Sequence, residues 1–229
     1  MKAESVLSWK RSMLIAGHYL IGYSFIYPRI LDFIYLHARL SRFASYRLQT
    51  AVYLLVFAVT VTGGWPLIKD GWNKYAGKPE KNIKLIVGAQ VFMIFMTVVI
   101  SLTLQALGFG ISRNQRAVNA AMKANLVYYG ILAIIYAPFV EETVFRGCIF
   151  KRVKASGHLM LAYFLSAFLF GFVHVMDSII AGNYSDAVFL VMYCGLGAVL
   201  TYVCDKTDSV FCSILLHMFN NSLGFLGGR

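Results

Sequence analysis

Apolar runs long enough to cross a bilayer, separated by short clusters of Lys and Arg, recur along this chain and constrain its fold more than any other feature. A helix needs about 20 residues to traverse the hydrocarbon core. Residues 50–68, 85–108 and 159–176 meet that length with almost no charge, and 186–204 and 209–226 carry few polar interruptions. A first segment, 13–35, is broken by Pro28, Arg29 and Asp32. Charged residues make up 14% of the chain, against about a quarter in soluble domains. The expected fold is therefore an all-α, polytopic transmembrane helical bundle of about seven spans. The net charge of +11 lies in the connectors and not in one patch, which points to membrane lipids as its partner and not to nucleic acid.

The remaining span is the informative one. Its apolar part ends at Val140, where the sequence EETVFRGCIFKRVK begins. A helix over 126–150 has the length to cross at about 1.5 Å per residue, so Glu141 and Glu142 fall well inside the bilayer and Lys151, Arg152 and Lys154 mark its edge. Pro138 is expected to bend this helix beside the glutamates. With the N terminus in the cytoplasm, seven spans put 13 Lys and Arg inside and seven outside, and leave Arg29 in the first helix. The inside set includes Lys2, Lys74, Lys151, Lys154 and Lys206; the outside set includes Arg39, Arg42, Arg113 and Arg229. The positive-inside rule favours this orientation. If the first segment only lies on the membrane, the later helices invert. Residues 1–13 form a basic flank whose apolar continuation lacks an A-x-A cleavage site, so the segment reads as an anchor, not as a removable signal.

A charged side chain at the centre of a membrane helix costs about 2.5–3.5 kcal/mol on insertion scales, and such residues mark functional sites by default. At about 100° per residue, Glu142 and Arg146 share a face at i and i+4, acid first, as an ion pair prefers. Glu141 points about 100° away and needs another partner. His174 and His217 in later spans are the candidates, each sharing a helix face with a residue four positions away, Phe170 and Asn221. A lone membrane histidine or asparagine is more often interhelical glue. The four cysteines, Cys148, Cys194, Cys204 and Cys212, form no C-x-x-C pair and read as buried reduced thiols.

Three motifs in order, E-E-x-x-x-R at Glu141 to Arg146, F-x-x-x-H at Phe170 to His174 and H-x-x-x-N at His217 to Asn221, resemble the CAAX protease and bacteriocin-processing family of intramembrane proteases, also known as the Abi family. The resemblance divides the chain into residues 1–123, about three N-terminal helices carrying no recognised motif, and 124–229, a catalytic core. It implies hydrolysis of a peptide bond inside the membrane by a water activated by glutamate and histidine. Glu141 would be the general base, His174 would position the water, Glu142 with Arg146 would support the base, and His217 and Asn221 would stabilise the oxyanion. In a dry cavity a carboxyl group suits proton transfer near neutral pH, and neutral donors there stabilise a tetrahedral oxyanion. The expectation is no tightly bound cofactor, because no local spacing supplies three zinc ligands. The alternative is a zinc ion on Glu141, His174 and His217.

The substrate implied is a membrane-embedded, lipid-modified or leader peptide in a prokaryotic plasma membrane; oligomeric state is open. Two other readings compete. A membrane immunity or scaffold protein would use the same fold to bind a bacteriocin-like peptide without cleaving it. A small transporter would use the buried carboxylates as a relay, and an inverted repeat, its usual mark, is not evident.

Overall fold

The computed structural model describes residues 6–38 and 40–227; Lys2, Arg39 and Arg229 of the charge count lie outside them. Among the described residues the chain is helical with no strands: α1 (9–38), α2 (Phe43–Gly77), α3 (Pro79–Ala106), α4 (Arg113–Ala124), α5 (Leu126–Lys154), α6 (Leu159–Ile180), α7 (Tyr184–Thr207) and α8 (Val210–Gly227). Polar side chains start several of them. Ser8, Ser41, Ser112 and Asn125 each accept a hydrogen bond from a backbone N–H three residues on, which satisfies one of the orphan donors of a first turn.

Five helices, α2, α3, α5, α6 and α7, are long and apolar enough to cross a membrane, and α8 is a shorter apolar helix. With α1, about seven spans result. The clearest sign of a lipid-facing surface is α3, whose mean hydropathy reaches 2.4 while only 22% of its most apolar window is buried. Phe92, Phe95 and Leu102 stand exposed along it, as they can where the solvent is hydrocarbon and not water.

The boundaries differ from the apolar runs in instructive ways. Helix α2 continues nine residues past Ile68, through Lys69, Asp70 and Lys74. Their charges do not stop it because Lys74 pairs with Asp70 at 2.8 Å and also with Asp208. Helix α5 likewise runs on to Lys154, and Lys151 is 2% exposed, with its Nζ on the carboxylate (2.6 Å) and carbonyl (2.9 Å) of Asp208. Asp208 closes α7 with a left-handed backbone, φ +51°. The first segment is a continuous helix in which Ile15 and Tyr19 are buried in the core. Within it, His18 Nε2 bonds to Tyr27 Oη at 2.9 Å.

One buried cluster runs through both halves of the chain, from Leu7 and Ile15 of the N-terminal part to Val144, Leu200 and Leu216. Close approach is set by glycine. A Cβ on Gly171 of α6 would lie 2.8 Å from the backbone nitrogen of Cys194 on α7, so only glycine lets the two helices meet there. All four cysteines are free, three of them buried and Cys194 half-buried.

Candidate active site

The site is built around the middle of α5, where wider π-helical turns occupy Leu132–Tyr136 and Thr143–Phe150 on either side of the turn holding Pro138 and both glutamates. Such turns inside a helix are frequent at functional sites. The two neighbouring carboxylates have opposite surroundings.

Glu142 is fully buried and fully engaged. Arg146 Nη1 donates to its Oε1 at 3.1 Å, and His217 Nδ1 lies 2.8 Å from the same oxygen. Ser213, one turn before His217 on α8, donates to its Oε2. Arg146, also fully buried, sends Nη2 to the carbonyl of Gly197 at 2.7 Å and lies 4.6 Å over the ring of Phe170. Four helices, α5, α6, α7 and α8, thus meet on one ion pair.

Glu141 has the opposite character. It accepts a hydrogen bond of 3.4 Å from Tyr19 of α1 at Oε1, while its buried Oε2 has no partner among the described residues. It lines a cavity of about 290 Å³ with Phe170, His174, His217, Asn221 and Asn114. A second cavity of about 350 Å³ joins Glu141 and His174 to Asp32, Gln49 and Asp177. His174 is held by its Nδ1, 2.7 Å from the carbonyl of Phe170. A carbonyl can only accept, so Nδ1 carries the proton and Nε2 of the neutral ring is left as an acceptor. Its ring stacks on Tyr193 with centroids 4.7 Å apart and planes 22° apart.

The residues singled out in the sequence are therefore brought together, with three differences in detail. Glu142 does not line the cavity but lies behind it. His217 faces Glu142 and not Glu141. Asn221 donates its amide to the carbonyl of Ala133 at 2.8 Å, which uses one of its two N–H bonds. Tyr19, Ser213, Tyr193 and Asn114 were not foreseen. Ser213 precedes His217 by one turn and could have been found by extending the H-x-x-x-N face backwards; Tyr19 carries no local signal.

Among the described residues, no three His, Cys, Asp or Glu side chains form a group able to hold a metal ion. The Nδ1 atoms of His217 and His174 are engaged by Glu142 and by the Phe170 carbonyl, which leaves Nε2 of each ring open.

The fold and the buried pair define a polytopic membrane protein with an ionisable centre, and comparison with known proteins gives its class. Residues 123–223 match the family described as Type II CAAX prenyl endopeptidase Rce1-like. That segment contains all three motifs and is similar to the CAAX protease and bacteriocin-processing family over less than half of the chain. Among curated proteins, UPF0177 protein YaiF of Lactococcus lactis subsp. lactis is 35% identical over 92 residues, 40% of this chain and 37% of that protein. UPF0177 protein YajF of the same organism is 28% identical over 160 residues, 69% of this chain and 72% of that protein. The chain thus matches little more than a third of the length of the first relative. No solved structure matches significantly.

Proposed function

We propose that this protein is an intramembrane endopeptidase in which Glu141 is the general base. The observation that carries the reading is the asymmetry of the two glutamates: Glu142 is saturated by Arg146, His217 and Ser213, whereas Glu141 has a free carboxylate oxygen and lines the cavities. A base must have a vacant lone pair within reach of the water it activates.

In this scheme a water held between Glu141 and His174 Nε2 attacks the substrate carbonyl while Glu141 takes its proton. The tetrahedral oxyanion meets His217 and the second amide N–H of Asn221. Nδ1 of His217 is directed at Glu142, so Nε2 is a donor only in the doubly protonated ring. Collapse of the intermediate breaks the C–N bond, and the proton held by Glu141 passes to the departing nitrogen. The products are a carboxylic acid and an amine. No metal is assigned a step.

The substrate class is a peptide that reaches a site inside the bilayer, whether embedded, lipid-modified or carrying a leader. The N terminus is assigned to the cytoplasm. Arg152 near the end of α5 lies 4.8 Å over the ring of Trp9, and Lys74, Lys151 and Lys154 meet Asp208 and Asp205 at the same end of the bundle. A cytoplasmic lysine-rich end follows the positive-inside rule.

The test is Glu141→Gln. It keeps the shape and removes the base, so cleavage of membrane peptides by the reconstituted protein should fall by about three orders of magnitude or more with unchanged melting. Unaltered activity in the folded variant would exclude Glu141 as the base. A parent that binds but never cleaves such peptides, with a variant that binds equally, would instead make this an immunity or scaffold protein.

A further inference from the structure

We propose that Tyr193 is a positioning residue that holds His174 in its working orientation and ties it to α4, which roofs the site. The proposal rests on the protease reading for its kinetic consequence and on geometry alone for the rest.

Tyr193 lies just before Cys194, where glycine at 171 lets α7 approach α6 most closely. That approach brings the phenol ring, 6% exposed, flat against His174. The hydrogen bond from Nδ1 to the Phe170 carbonyl anchors the imidazole at one atom but leaves it free to tilt; a stacked ring on one face removes that freedom. The phenol oxygen points the other way. It lies 2.7 Å from Ser112 Oγ and accepts from Asn114 Nδ2 at 3.2 Å. Ser112, 1% exposed, is the residue that caps α4. One side chain therefore joins the first turn of α4 to the imidazole.

Helix α4 matters because its inner face borders all three cavities at Glu141, reaching the one of about 350 Å³ through Asn114. Asn114, Gln115, Val118 and Met122 line the one of about 290 Å³, and Val118, Ala121 and Met122 line another of about 170 Å³ with Tyr19 and Tyr136. A peptide entering beside Glu141 would meet α4, and displacement of α4 would be felt at His174 through Tyr193. All but Lys123 and Ala124 of this helix precede the segment that matches the protease family. A second anchor is separate: Asp186 accepts the backbone N–H of Arg113, 3.1 Å from each carboxylate oxygen, and the hydroxyl of Ser178. It provides a control that loosens α4 without touching His174.

Three variants of the full chain in nanodiscs test this: Tyr193→Phe keeps the stack and loses the hydroxyl, Tyr193→Met loses both, and Asp186→Asn weakens the other anchor. Backbone hydrogen exchange in the first turns of α4 should quicken about tenfold in all three. The ¹⁵N imidazole spectrum of the five histidines should keep the His174 tautomer pattern in Tyr193→Phe and Asp186→Asn and lose it to averaging in Tyr193→Met. With quenched apolar peptides as probe, Tyr193→Phe should raise KM severalfold at nearly constant kcat, and Tyr193→Met should lower kcat about tenfold or more. Unchanged exchange in Tyr193→Phe would overturn the tie to α4. An unaltered His174 spectrum in folded Tyr193→Met would overturn the positioning role. A parent that cleaves no peptide refutes the protease reading and leaves exchange and spectra to decide this one.

Discussion

Replacing Arg146 by alanine removes the one full positive charge bonded to Glu142, and the cost can be worked from the surroundings. Both side chains have zero exposure, so no water can take the place of the guanidinium. Breaking a buried ion pair by deleting one partner costs about 3–5 kcal/mol in general. Loss of the bond to the Gly197 carbonyl adds little, since that oxygen also accepts from Thr201 at 2.8 Å. Loss of the stack over Phe170 adds about 0.5–2 kcal/mol, while His217 and Ser213 remain on Glu142 and return part of the sum. A net of about 3–5 kcal/mol is expected. For a chain of 150–250 residues each kcal/mol moves the midpoint by about 2–4 °C, so the melting temperature should fall by roughly 6–20 °C. The assay is thermal unfolding of purified parent and variant in one detergent, with Arg146→Lys beside them. Lysine keeps a charge but cannot bridge Glu142 and Gly197 together, and should recover less than half of the loss. If Arg146→Ala melts within 2 °C of the parent, the pair is solvated or unimportant, and the argument that Glu142 is the structural member of the two glutamates fails.

Three further outcomes are expected. Burial alone would raise the pKa of Asp208, but Lys151 and Lys74 more than offset it and hold the carboxyl below its usual value; the stability it contributes is complete above about pH 4 and disappears as pH falls through the lowered folded value. Asp208→Asn, which tolerates the left-handed backbone, should therefore cost about 1 kcal/mol at pH 7, discounted for partial exposure, and the two melting curves should converge when titrated toward pH 3. Gly171→Ala should destabilise by about 1–3 kcal/mol through overpacking, and a normal melting point would show that α6 and α7 part without strain. Cleavage should survive strong zinc chelators; loss reversed by added zinc would require Glu141, His174 and His217 to rearrange into a ligand set.

Much of this architecture could be read from the residues because a membrane leaves few choices. Apolar length marked the spans, and the i, i+4 spacing of Glu142 and Arg146 was enough to predict their pairing. The extensions of α2 and α5 were hidden because Lys74 and Lys151 look like water-facing ends, and only the long-range approach of Asp208 gives them partners. Helix α4 escaped notice since twelve residues with Arg113, Arg116 and Lys123 make no span. Periodicity put His217 and Asn221 on one face but could not fix the rotation of α8 about its own axis, which decides that His217 meets Glu142 and not Glu141. Tyr19 and Tyr193 reach the site from α1 and α7 through tertiary packing that no local pattern encodes.

The paired glutamates also explain how ionisable chemistry is tolerated at this depth. A lone carboxylate there would have to be expelled, neutralised or compensated. Here compensation is concentrated on Glu142, whose three partners come from α5 and α8 and whose arginine reaches α6 and α7. That ion pair clasps the helices on which His174 and Tyr193 ride, so the cost of burial is offset in packing. Glu141, one residue earlier and about 100° around the helix, inherits a rigid position without inheriting partners. Its only hydrogen bond among the described residues, 3.4 Å from Tyr19, is long, and long bonds are the easily exchanged ones. A single-glutamate site would have to choose between a satisfied carboxylate that cannot take a proton and a free one that nothing holds. Adjacent residues on a helix avoid that choice because they share a backbone but not a face.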